Sequence, residues 1–261
     1  MQACARTIAL FRRAPGRFTR QLPSLLTMEG RFMSTWTSAA RRIGMWSAVS
    51  VAVIDVIYVL TGVVWLISGG ARSPEPLQPS EPFLAILEFL ILLSAPALVA
   101  VMAAVHAYAS LERKIYTLIA LAFTVAFAVL TSGVHFIQLA VVRQMISRDV
   151  PGFFVIRLYP WPSVILALDF LAWDFFLGLA MLLGALIFTG GSKLQTAVRV
   201  CMLLSGALCL AGTLGPGLGD LRIQYMGIVG YAAVLPIACV LLAILFARTA
   251  PGTIPTRVDV Q

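Results

Sequence analysis

Six near-continuous apolar runs, each about as long as a bilayer-crossing helix, constrain this chain more than anything else in it. They lie at 46–68, 83–108, 115–142, 163–189, 197–214 and 227–246. A hydrocarbon layer about 30 Å thick takes about 20 helical residues to cross. A membrane barrel would show alternating polarity over short segments, whereas these runs are apolar on every face and far longer. The expected fold class is therefore all-α, a polytopic integral membrane protein built as a six-transmembrane-helix bundle. Composition agrees: 60% of the residues are hydrophobic, 11% are charged, and the mean hydropathy is +0.95, outside the range of soluble domains.

The runs divide the chain into a basic, disordered N-terminal tail (1–42), a transmembrane domain (43–248) and a short C-terminal tail (249–261). The formal charge of +8 does not imply nucleic acid, because the basic residues sit at the ends of apolar runs, where lipid headgroups are the partners. Fourteen Lys and Arg fall in the N-terminal tail, the even-numbered connections and the C-terminal tail, against five in the remaining connections. That bias puts both termini in the cytoplasm. Arginine outnumbers lysine 17 to 2, the usage of a GC-rich coding sequence, which favours a bacterial plasma membrane. Residues 1–42 are Arg-rich with Glu29 as their one acid, the composition of a mitochondrial transit peptide and the basis for the mitochondrial inner membrane as the alternative. The favoured reading starts translation at Met28 or Met33. Of the four cysteines, Cys201, Cys209 and Cys239 lie within apolar runs and are expected to be free, buried thiols.

Function is sought in ionisable and polar residues placed inside hydrocarbon, where a central acid costs about 2.5–3.5 kcal/mol on insertion scales. Asp55 lies in the first run, Glu88 in the second, His135 and Gln138 in the third, Asp169 and Asp174 in the fourth. Glu88, His135, Gln138 and Asp169 fall in the outer half of their helices, with Asp55 and Asp174 nearer the midplane, so the expected arrangement is an outward-facing polar pocket narrowing toward the centre. Tyr58 shares a helical face with Asp55, and Gly62 stands two turns from the acid as a close-packing notch. His135, Gln138 and Thr131 share a face. Asp169 and Asp174, five residues apart, point in directions too different for one site, so one of them pairs elsewhere.

Several chemistries are excluded. His106 and His135 belong to opposite ends of their helices and cannot ligate one haem iron. No His-Glu-x-x-His or dinucleotide glycine pattern occurs, and neither metal nor other cofactor is expected. The glycine-rich stretch 212–220 lacks the lysine and the strand of a phosphate loop; it reads as a helix end, or as a hinge lining the cavity. Pro96 and Pro236 should kink their helices. A Gly-Gly pair follows Asp55 at Gly70 and Asp174 at Gly190, a thin hint of two inverted three-helix halves. Residues 143–162, rich in Gly, Pro and aromatics, read as an interfacial re-entry segment or a lid; the proline-rich connector near 73–82 implies no chemistry.

No residue is assigned a catalytic role. The pocket residues Asp55, His135 and Asp169, supported by Glu88, Asp174, Tyr58 and Gln138, point to a small transporter or a proton- or solute-responsive protein whose ligand is a proton or small solute. The alternatives are a membrane enzyme acting on a lipid or quinone with His135 as base, and an accessory or structural subunit whose polar groups hold helices together.

Overall fold

The computed structural model describes residues 36–69, 79–148 and 161–252. Cys4, Met28, Met33, Gly70, most of the proline-rich connector, positions 149–160 of the lid candidate and the end of the C-terminal tail lie outside them. The described residues are all-helical. Six helices are long and apolar enough to cross a membrane: α1 (Ser38–Ile67), α2 (Phe83–Tyr108), α3 (Leu111–Met145), α4 (Val164–Ala185), α5 (Lys193–Leu218) and α6 (Leu221–Arg248).

Side-chain caps set four of the starts. Thr37, Ser163, Ser192 and Asp220 each accept a hydrogen bond from a backbone N–H of the first turn, answering one of the donors a helix start leaves over. These caps explain where the helices depart from the apolar runs. α1 begins at Ser38, so residues 38–42 belong to the helix and not to the tail, because Thr37 caps there and Arg41 is used in packing. α6 begins at Leu221, behind the Asp220 cap. The glycine-rich stretch remains helical for one more turn, Leu214–Leu218, before Gly219 takes a left-handed conformation (φ 75°) that ends α5, a role glycine fills without a Cβ clash.

Each helix packs on its neighbours in sequence, and α6 returns to α1, closing the six into a ring. Alternation of direction is visible in the contacts at one end. There Trp36, before α1, packs on Tyr108 at the end of α2 and on Phe246 near the end of α6, and Tyr108 stacks on Phe188, just beyond α4. The same end gathers the starts of α1, α3 and α5. Arg41 donates to the carbonyls of Phe246 and Ala247, and Arg113 to that of Leu186, so two arginines satisfy and neutralise the carbonyl ends of α6 and α4. Gln195 donates to the Tyr108 hydroxyl at 2.8 Å. His106 Nδ1 lies 2.8 Å from Thr117 Oγ1, and the two histidines occupy opposite ends of the bundle.

Three helices carry a wide π turn in their course: Gln138–Val142 in α3, Leu171–Phe176 in α4 and Val229–Val234 in α6. The last ends just before Pro236, whose ring and missing N–H cannot serve a regular turn. Ser205 of α5 donates to the Gly230 carbonyl within it at 2.9 Å. Small residues bring α4 and α5 together: a Cβ on Gly206 would stand 2.7 Å from the Gly178 carbonyl oxygen, the close approach typical of helix pairs in lipid. Gly62 is different. A Cβ there meets nothing within 4 Å, so the expected notch packs on no described residue, because this stretch of α1 is turned away from its neighbours.

Candidate functional site

At the end of the bundle opposite the arginine caps, a cavity of about 130 Å³ opens between five helices. Asp55 and Tyr58 of α1, Glu88 of α2, His135 of α3, Asp169 and Trp173 of α4, and Tyr231 of α6 line it. Ile54, Leu84, Leu87, Leu90 and Ile91 supply apolar wall. Of the seven residues singled out above, five therefore meet at one cavity. Asp174 and Gln138 do not line it.

His135 is the centre of the charged group. Its ring is 1% exposed, its Nδ1 is bonded to Glu88 Oε2, and its Nε2 lies 3.3 Å from Asp169 Oδ1, within ion-pair range but out of line for a hydrogen bond. A neutral imidazole can donate from only one nitrogen, whereas an imidazolium donates from both. The ring between two acids is thus a place where one added proton changes how many partners are served. Two carboxylates, Glu88 and Asp169, flank the one histidine, and a third, Asp55, lines the same cavity. Asp55 is half-buried and its Oδ2 finds no hydrogen-bond partner among the described residues.

The cavity has an aromatic back wall. Trp173 and Tyr231 pack at a tilt of 42° with centroids 4.9 Å apart, and Phe127, fully buried, meets Trp173 edge-on at 4.8 Å. Trp173 and Tyr231 both stand in π turns, and a third π turn begins three residues after His135. A π turn inserts an extra residue and re-aims the side chains around it, which is why such turns gather at functional sites. These turns are the feature sequence reading missed. Pro236, just after the π turn of α6, is a sequence signal beside one of them, and a proline by itself implies only a kink.

Asp174 sits one turn farther along α4, fully buried, with Oδ2 3.4 Å from the amide nitrogen of Gln224. Gln138 is 3% exposed at the start of the α3 π turn, and Thr131, on the same inward face, is fully buried. Gln224 and Tyr231 were not singled out from the sequence; Gln224, 3% exposed inside α6, is the kind of buried amide that a search for polar residues within apolar runs would include if its window began at the Asp220 cap. Among the described residues no group of three or more His, Cys, Asp or Glu side chains has the geometry to hold a metal ion. Compared with protein-family models, curated proteins and solved structures, the chain matches none, and its function is argued from the cavity itself.

Proposed function

We propose that the chain is a multi-pass membrane protein with both termini in the cytoplasm of a bacterium, and that its cavity is an outward-facing site binding a proton together with a small solute, as in a small proton-coupled transporter. Six apolar helices in a closed ring support the membrane reading. Orientation rests on the basic residues: Arg41, Arg42, Arg113, Lys114, Lys193 and Arg248 belong to one end of the bundle, against Arg143, Arg148 and Arg222 at the cavity end.

The observation that carries the functional reading is His135 held between Glu88 and Asp169 in the wall of a cavity that Asp55 also lines. Ionisable groups buried in a membrane are costly and mark proton and ion pathways, and histidine is the side chain whose unperturbed titration falls nearest neutrality. Volume chooses among ligands. About 130 Å³ accommodates several waters or a small solute and falls below the roughly 300–1,000 Å³ of pockets enclosing drug-sized ligands. A quinone ring or lipid headgroup is therefore a poor fit. A purely structural cluster would not leave the buried Asp55 Oδ2 without a hydrogen-bond partner among the described residues.

The test is proton and solute flux in proteoliposomes under an imposed pH gradient, with the wild type beside Asp55→Asn. The expected result is flux in the wild type and its loss in a variant that still elutes as a folded protein. Wild-type vesicles as tight as empty ones across a panel of small solutes would overturn the reading.

A further inference from the structure

Beyond the cavity, a second acid is buried more completely than any in it. Asp174 is fully buried within the α4 π turn, pressed between Gly212 of α5 and Gly227 of α6. A Cβ on Gly227 would overlap the Asp174 carboxyl group, so the two glycines are what make room for the acid. The groups that face it are Asp169 on its own helix, Cys209 on α5, and Gln224 with Tyr231 behind it on α6. None is a cation. The Gln224 amide nitrogen lies 3.4 Å from Asp174 Oδ2 and 3.4 Å from the Tyr231 hydroxyl, and Asp174 Oδ1 finds no hydrogen-bond partner among the described residues.

A buried carboxylate with no neighbouring cation must have its charge compensated by a bound proton or a bound ion. A metal ion needs a shell of several oxygens at more than 2 Å, and the glycine backbone against the carboxyl leaves no such space. A proton needs only the oxygen. We propose that Asp174 is a second proton-binding site, holding its proton on Oδ1, and that Gln224 couples this site to Tyr231 in the cavity wall. The chemistry of the amide gives the coupling: a protonated Asp174 offers Gln224 one acceptor oxygen and a competing O–H donor, and an ionised one offers two charged acceptors. The –NH₂ group shared between Asp174 and Tyr231 is drawn toward the acid when the proton leaves, and its hold on Tyr231 weakens. Gln224 is a positioning residue. It does not carry the proton.

The coupling to transport rests on the function proposed above; the proton site does not. Infrared spectra of reconstituted wild type and Asp174→Asn at neutral pH, in H₂O and D₂O, test the site. The wild type should show a carboxylic-acid C=O band that shifts on deuteration and is missing from Asp174→Asn; loss of a carboxylate band in its place would overturn the proposal. Adding sodium should leave the acid band unchanged, and its disappearance would overturn the proton in favour of a cation. Should Asp174→Asn fail to fold, Gln224→Leu carries the test, moving the acid band to higher frequency as its C=O loses a donor, with an unmoved band counting against the site. The same Gln224→Leu variant should lower flux about tenfold, the value of one hydrogen bond, and unchanged flux would overturn the coupling. Absence of wild-type flux would sink the transporter reading and leave the infrared result standing.

Discussion

The two ends of this bundle solve the same problem in opposite ways. At the capped end polar side chains serve the backbone and one another: Arg41 and Arg113 reach helix-end carbonyls, the Trp36 indole points to the carbonyl of Thr249, and Gln195 donates to Tyr108. An aromatic cluster of Trp36, Tyr108, Phe188 and Phe246 fills the space between. At the cavity end the polar groups are titratable, and they face one another. Of the six buried side-chain atoms that find no hydrogen-bond partner among the described residues, five belong to Asp55, Thr131, His135, Asp169 and Asp174. The sixth is Arg199 Nε, near the start of α5. The cavity end holds unused hydrogen-bonding capacity, and buried capacity of that kind is retained where something binds.

Substitutions at the two ends should therefore differ in what they damage. The largest effect is expected from His135→Ala, which leaves Glu88 and Asp169 without the ring between them. Loss of one member of a buried ionic group costs about 3–5 kcal/mol, and equilibrium unfolding in mixed micelles should show it together with abolished flux. A variant as stable as the wild type would erase the distinction between the ends. Next comes Trp36→Ala, where removing a 2% exposed indole should cost about 3 kcal/mol through lost packing, measured in the same titration. Its flux per folded molecule should match the wild type. Flux lost along with stability would mean that the capped end takes part in the mechanism.

Arg41→Ala removes two bonds to the α6 end and should cost about 1–2 kcal/mol, read as a lower midpoint of thermal unfolding with unchanged activity. The smallest effect belongs to Glu81→Ala. Glu81 pairs with Arg143 at the cavity end, but their side chains are 47% and 39% exposed, and exposed pairs contribute under about 1 kcal/mol. A larger loss from this pair would show that the cavity mouth is less wet than its exposure implies.

The architecture was readable because its cause is local. Each helix follows from some twenty consecutive apolar residues that satisfy their own backbone, and neither fact needs a distant partner. The ends were less readable: caps such as Thr37 and Asp220 lie outside the apolar runs, so hydropathy dated the helix starts late. For the site, sequence supplied the list of residues that hydrocarbon would not tolerate, among them Asp55, Glu88, His135 and Asp169, and helical phase separated Asp169 from Asp174. Which of them meet was a matter of tertiary packing. Glu88 and His135 lie 47 positions apart, and no spacing rule pairs them; the π turns that aim Trp173 and Tyr231 arise from how α3, α4 and α6 are held by their neighbours. A local signal gives a helix and its forbidden residues, whereas a cavity exists only between helices, and its contents depend on the ring closing from α6 back to α1.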